Sequence, residues 1–109
     1  MKPLIWLGSS RDDVRKFPEA ARQQAGFDLY RVQVGYEPLD WKPMSALGVG
    51  VKEIRLHDVN EYRVLYVAKF SEAVYVLHAF AKKTQQTARA DIDLAKARFR
   101  QLTTIRGKL

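Results

Sequence analysis

The sequence predicts an α+β fold, one sheet dressed with a few helices, and two observations carry that prediction. Between Val51 and Thr87 three β-rich runs, VKEIRL, EYRVLYVAKF and AVYVLHAFA, follow one another with only short polar breaks, and short connections make successive strands antiparallel neighbours. On either side, apolar residues recur at helical spacing: Ala21, Ala25, Leu29 and Val32 before, and Ile92, Ala95, Phe99 and Leu102 after. A chain of 109 residues, 47% of them apolar, can bury one core but not a second, so residues 1–109 are expected to form a single domain.

The elements follow in order. Leu4 to Leu7 is a short strand closed by Gly8, and Ser9 or Ser10 caps a first helix whose opening turn carries Asp12 and Asp13. The apolar start PLIWLG is too short for a membrane helix or a signal-peptide core; the expected location is the cytoplasm, with no membrane partner. Pro18 suits the first turn of a second helix, where its missing N–H costs nothing, and that helix runs to Gly35. Gly26 lowers its propensity by about 1 kcal/mol relative to Ala, a cost to be offset by close approach of a neighbouring helix. The two helices should form a hairpin lying on the sheet.

Tyr36 to Gly50, with Pro38, Pro43, Gly48 and Gly50, reads as a loop anchored by Trp41. Three strands come next, Val51 to Leu56, Glu61 to Phe70 and Ala73 to Ala81, separated by HDVN and by Ser71-Glu72. A last helix starts at Thr87 as N-cap, places Asp91 and Asp93 near the positive end of its dipole, exposes Lys96 and Arg100, and ends at Gly107.

The net charge of +7 is unevenly spread: eight of the nineteen Lys and Arg, but only two of the twelve Asp and Glu, lie between Lys82 and Leu109. That asymmetry fits a polyanionic partner at one end of the molecule, or a solvated basic helix. With no Cys and only two His, thiolate metal sites cannot form and no imidazole pair has ligand spacing. Neither metal nor cofactor is expected.

Strand alternation puts Arg63 on one face with Leu65 and Val67, and His78 on one face with Val74, Val76, Phe80 and Lys82. His78 is either a core histidine bonded to backbone or a group that titrates in a site. Arg63 is either a sheet-surface partner for Glu53 or Glu61 or a phosphate ligand, and Arg55 shares that ambiguity. Lys82-Lys83 before TQQT is either a solvated strand exit or, with the amides of Gln85 and Gln86, an edge for contacting phosphates and bases. The sequence has no Gly-rich phosphate loop and no nucleophile-elbow Ser. The set fits RNA cleavage without a metal: the substrate's own 2′-OH attacks, Arg and Lys neutralise the phosphorane, and His78 moves protons, imidazole being the side chain suited to that work at neutral pH. Products would be a 2′,3′-cyclic phosphate or 3′-phosphate and a 5′-OH.

The runs WKPMSALGVGVKEIRLH, EYRVLYVAKF and VYVLHAFAKKTQQT, followed by DIDLAKARF, resemble the phage-derived HigB-like toxins of the RelE/ParE superfamily, the toxin halves of bacterial type II toxin–antitoxin pairs. FPEAARQQAGFDLYRVQVG is similar to that family's second helix, so the resemblance spans nearly the whole chain. It implies a RelE-like fold, with an N-terminal helical hairpin on a four-stranded antiparallel sheet and a C-terminal helix. It also implies mRNA cleavage, often on the ribosome, and neutralisation by a small antitoxin that commonly carries a helix-turn-helix. By the same resemblance Arg63 contacts the scissile phosphate, Lys82 and Lys83 are basic catalytic residues, Lys52 and Arg55 are basic positions on the preceding strand, and His78 belongs to the VLHAF motif. Several RelE-like toxins also place a Tyr, or a His with a Tyr, in the C-terminal segment. Here no Tyr follows Tyr75 and no His follows His78, which leaves proton transfer to His78 or Lys82. Two other readings stay open: a ParE-like toxin that binds DNA gyrase, and a nucleic-acid-binding module without catalysis.

Overall fold

A five-stranded mixed sheet forms the centre of the computed structural model, which describes residues 1–108. The chain runs β1 (Leu4–Trp6), α1 (Ser10–Arg15), α2 (Glu19–Gln33), β2 (Trp41–Pro43), β3 (Val51–His57), β4 (Glu61–Val67), β5 (Val74–Lys82) and α3 (Arg89–Arg106). In space the strands lie in the order β1-β5-β4-β3-β2. The α+β class holds, but the four-stranded antiparallel sheet does not. β1 joins β5 in parallel, Leu4 against Val74, and β2 adds a fifth, antiparallel strand, Trp41 against Ile54. Pro43 made this segment read as loop, yet a proline is tolerated on an edge strand, where one side of the backbone has no ladder to serve.

The expected anchor of the 36–50 connection also shifts. Buried Asp28 on α2 accepts a hydrogen bond from the Leu39 amide, whereas Trp41 stays half-exposed, with the Lys52 ammonium 4.7 Å from its ring centre. β4 stops at Val67 rather than Phe70, and the Ala68 carbonyl takes the Lys2 ammonium at 2.6 Å.

Each face of the sheet has its own core. On one side α1 and α2 lay Val14, Ala21, Ala25 and Leu29 on Ile54, Val64, Tyr66 and Val76. On the other, Ala95, Phe99 and Leu102 of α3 pack on Val51, Leu65, Val67 and Leu77. Gly48 is the tightest point of that second layer: a Cβ there would fall 2.2 Å from the Phe99 ring, so only glycine lets the loop and α3 meet. Gly26 is the opposite case. A Cβ added to it meets no atom of the described residues within 4 Å, so none of their helices approaches it closely and the packing reason for that glycine fails. α3 begins one residue later than Thr87 would set it, with Ala88 as N-cap and no side-chain cap bond.

One irregularity determines which side chains share a face. Leu65 pairs with His78 but Tyr66 pairs with Val76, so Leu77 is an extra residue, a β-bulge. Val74 and Val76 therefore face α1 and α2, while His78, Phe80 and Lys82 face α3 together with Leu77. The uninterrupted alternation that put His78 with Val74 and Val76 is broken at that residue.

Candidate nucleic-acid interface

α3 covers only part of its face. Beyond the Leu65 and Leu77 rows the same face continues into charge, with Glu53, Arg55 and His57 on β3, Glu61 and Arg63 on β4, and Lys82 on β5. Directly opposed residues stand about 4.5–5.5 Å apart at Cβ. Arg55 thus faces Arg63, His57 faces Glu61, and Glu61 faces Lys82.

Two cations side by side need anions between them, and Glu53 and Glu61 supply these. Glu53 is buried, 3% exposed; its Oε1 accepts from Arg55 Nε at 3.2 Å and lies 3.6 Å from Arg63 Nε. That Nε is itself buried and makes no hydrogen bond among the described residues. The two terminal nitrogens of Arg63 reach Glu61 Oε1, each at 3.2 Å, and one also donates to the Tyr62 carbonyl at 3.0 Å. The salt-bridge reading of Arg63 is therefore correct for both named carboxylates. It does not exclude the other reading, because Arg63 also lines a solvent-open hollow of ≈ 470 Å³ together with Glu61, Lys82, Lys83, Thr84 and Gln85.

The structure brings Arg63, Lys82, Lys83 and Gln85 to one hollow and sets Arg55 beside it. The other candidates go elsewhere. His78 is buried under α3, 5% exposed, with Nε2 2.7 Å from Asp91 Oδ1, its ring stacked on Phe80 at 5.1 Å and the Arg98 guanidinium 3.5 Å from Nδ1. Arg98 also donates to the Leu77 carbonyl and to Ser9. In this setting His78 ties α3 to the sheet. Lys52 pairs with Tyr66 in register, so it lies on the opposite face from Arg63, and its ammonium is bonded to Glu37 at 2.9 Å. Gln86 is exposed in the turn after β5, where its carbonyl accepts from the Thr84 hydroxyl at 2.6 Å.

One group at the rim escaped the sequence reading. His57 Nδ1 lies 2.7 Å from Glu61, and its Nε2 contacts Asp40. The Asp40 bond, followed by the Glu61 bond, holds the imidazole pKa above its ordinary value. His57, followed by Arg63, holds the Glu61 carboxyl below the usual carboxylate range. The signal was in the sequence: a turn of three residues between β3 and β4 forces His57 opposite Glu61, and His57 continues the Glu53, Arg55 alternation.

Chemically, the hollow offers three cations from two strands and the following turn, an amide, and one ionised carboxylate shared between a guanidinium and an imidazole. A family model described as phage derived protein Gp49-like (DUF891) matches residues 12–100, which includes β2 to β5, α2 and the first two-thirds of α3. No curated protein matches the sequence.

Proposed function

The chain belongs to the phage-derived Gp49-like family, and from that membership and the cationic hollow we propose that it is the toxin of a type II toxin–antitoxin pair, an endoribonuclease that cuts mRNA on the ribosome. The reading rests on one observation: Arg63 of β4 and Lys82, Lys83 and Gln85 at the end of β5 line a single solvent-open hollow. A phosphodiester needs that kind of cradle. The Glu61 carboxylate on the two terminal nitrogens of Arg63 occupies the place a phosphate's oxygens would take, since guanidinium binds both anions through the same planar fork.

The chemistry proceeds by in-line attack of the substrate 2′-OH on phosphorus. Arg63 and the ammonium of Lys83 neutralise the charge that builds on the phosphorane, the term that most lowers such barriers. Gln85 positions a flanking base or sugar through its amide. The products are a 2′,3′-cyclic phosphate and a 5′-OH. His78 contributes by bracing α3 rather than by moving protons. A small antitoxin, with a helix-turn-helix of its own, neutralises the toxin.

Inducing the chain in bacteria and mapping message ends by primer extension tests the reading. Growth arrest with cuts at defined positions is expected, and Arg63→Ala, or Lys82→Ala with Lys83→Ala, should remove both while the purified variants keep their circular dichroism. Uncut messages accompanied by DNA damage would instead assign the chain to the gyrase poisons. Salt-sensitive RNA binding with no cut ends would make it a binding module.

A further inference from the structure

Cleavage by a 2′-OH needs a proton acceptor, and the hollow contains neither His78 nor any tyrosine. We infer that Glu61 is that acceptor, with His57, anchored by Asp40, as the residue that positions it. The inference rests on the nuclease reading above and adds to it the group that moves the first proton.

The geometry carries the argument. Glu61 starts β4 beside Arg63, opposite Lys82 on β5 and opposite His57 on β3. Its Oε1 is thus held by the His57 imidazole at 2.7 Å and by the Arg63 guanidinium at 3.2 Å, with Oε2 2.9 Å from the same imidazole, and Glu61 borders the hollow itself. A phosphate drawn onto Arg63 arrives next to this carboxylate, with its ribose 2′-OH within reach of the same oxygens. The charged groups around Glu61 are His57, Arg55 and Glu53 from β3, Arg63 from β4, Lys82 and Lys83 from the end of β5, and Asp40 behind His57.

The proton balance closes. Glu61 takes the 2′-OH proton as the 2′-oxygen forms its bond to phosphorus. The bond from phosphorus to the 5′-oxygen breaks, and the Lys82 ammonium gives that oxygen a proton. Solvent then removes the proton from Glu61 and restores the one on Lys82. His57 and Arg63 together keep the resting carboxyl ionised. When the phosphate takes over the terminal nitrogens of Arg63, one of those two depressing bonds is lost, so basicity rises at the moment the proton must move.

Single-turnover cleavage of a ribosome-bound message by the full chain, measured alongside RNA affinity, tests this. Glu61→Gln should lower the cleavage rate by about 10²- to 10⁴-fold with RNA affinity equal or higher, because a negative charge is lost. Glu61→Asp, which keeps the carboxylate one methylene shorter, should recover part of the rate. His57→Gln should move the Glu61 carboxyl titration, followed by carbon-13 NMR, up toward the ordinary glutamate range, which a merely structural role would not do. Wild-type cleavage with a Glu61→Gln rate at or above it overturns this inference alone and leaves Glu61 as a plug on Arg63. No cleavage by the wild type overturns the nuclease reading and this step with it.

Discussion

Arg63 is 5% exposed, and its position depends on a carboxylate no better exposed than itself. Glu53 lies between the guanidinium groups of Arg55 and Arg63; removing it leaves two cations facing each other with less water around them than either needs. Glu53→Ala is expected to destabilise the protein by about 3 kcal/mol, the usual scale for stripping one partner from a buried ion pair, measured as a lower urea midpoint at unchanged slope. Pairing it with Arg63→Met should recover much of that loss, because the uncompensated charge goes too; simple addition of the two effects would show that Glu53 and Arg63 do not interact. Part of this network was legible in advance. Residues two apart on a strand share a face, which made Glu61 a natural partner for Arg63, and Glu53 reaches it from the adjacent antiparallel strand. The place of His57 opposite Glu61 follows from the same alternation, but its second partner, Asp40, lies seventeen positions away in a segment that read as loop.

At the scale of elements, what the sequence could and could not foretell divides along the hydrogen-bond ladder. Helices α2 and α3 and strands β3, β4 and β5 announce themselves by period, since each must turn a stripe or an alternating row toward a core. The bulge at Leu77 leaves the composition of β5 unchanged and only inverts parity, so no local pattern reports it. Its consequence is that His78 leaves the face of Val74 and Val76 and lies under α3, on the face whose rim carries His57. Edge strand β1 is legible as an apolar run closed by Gly8, whereas β2, three residues ending at Pro43 in a segment that read as loop, is too short for a period to develop. Gly26 makes the same point with the opposite sign. Helical, free of a positive φ and with open space where a side chain would lie, it serves no packing purpose. Gly26→Ala should therefore stabilise the protein by about 0.5–1 kcal/mol by restricting the unfolded chain and favouring helix, seen as a higher thermal midpoint. A loss of stability would mean that α2 must approach another surface at this position.

For the molecule as a whole, with its net charge of +7, two basic surfaces are open to RNA, and salt can tell them apart. The exposed side of α3 carries Lys96 and Arg100, while the hollow holds Arg63, Lys82 and Lys83. Each phosphate neutralised on a single strand releases counterions, giving a slope of roughly −0.7 per contact in a plot of log affinity against log salt. Three contacts in the hollow predict a slope of about −2, and Lys82→Ala with Lys83→Ala should make it shallower by about 1.4, as read by fluorescence anisotropy of a short labelled RNA. If strands instead track along α3, the double variant leaves the slope nearly untouched, and Lys96→Ala with Arg100→Ala flattens it. The expectation favours the hollow because its cations are aimed by the sheet. β4 fixes Arg63 between two carboxylates, and β5 ends where Lys82 stands opposite Glu61. The cations on the exposed side of α3 sit on freely solvated stems, whose ordering on binding costs conformational entropy.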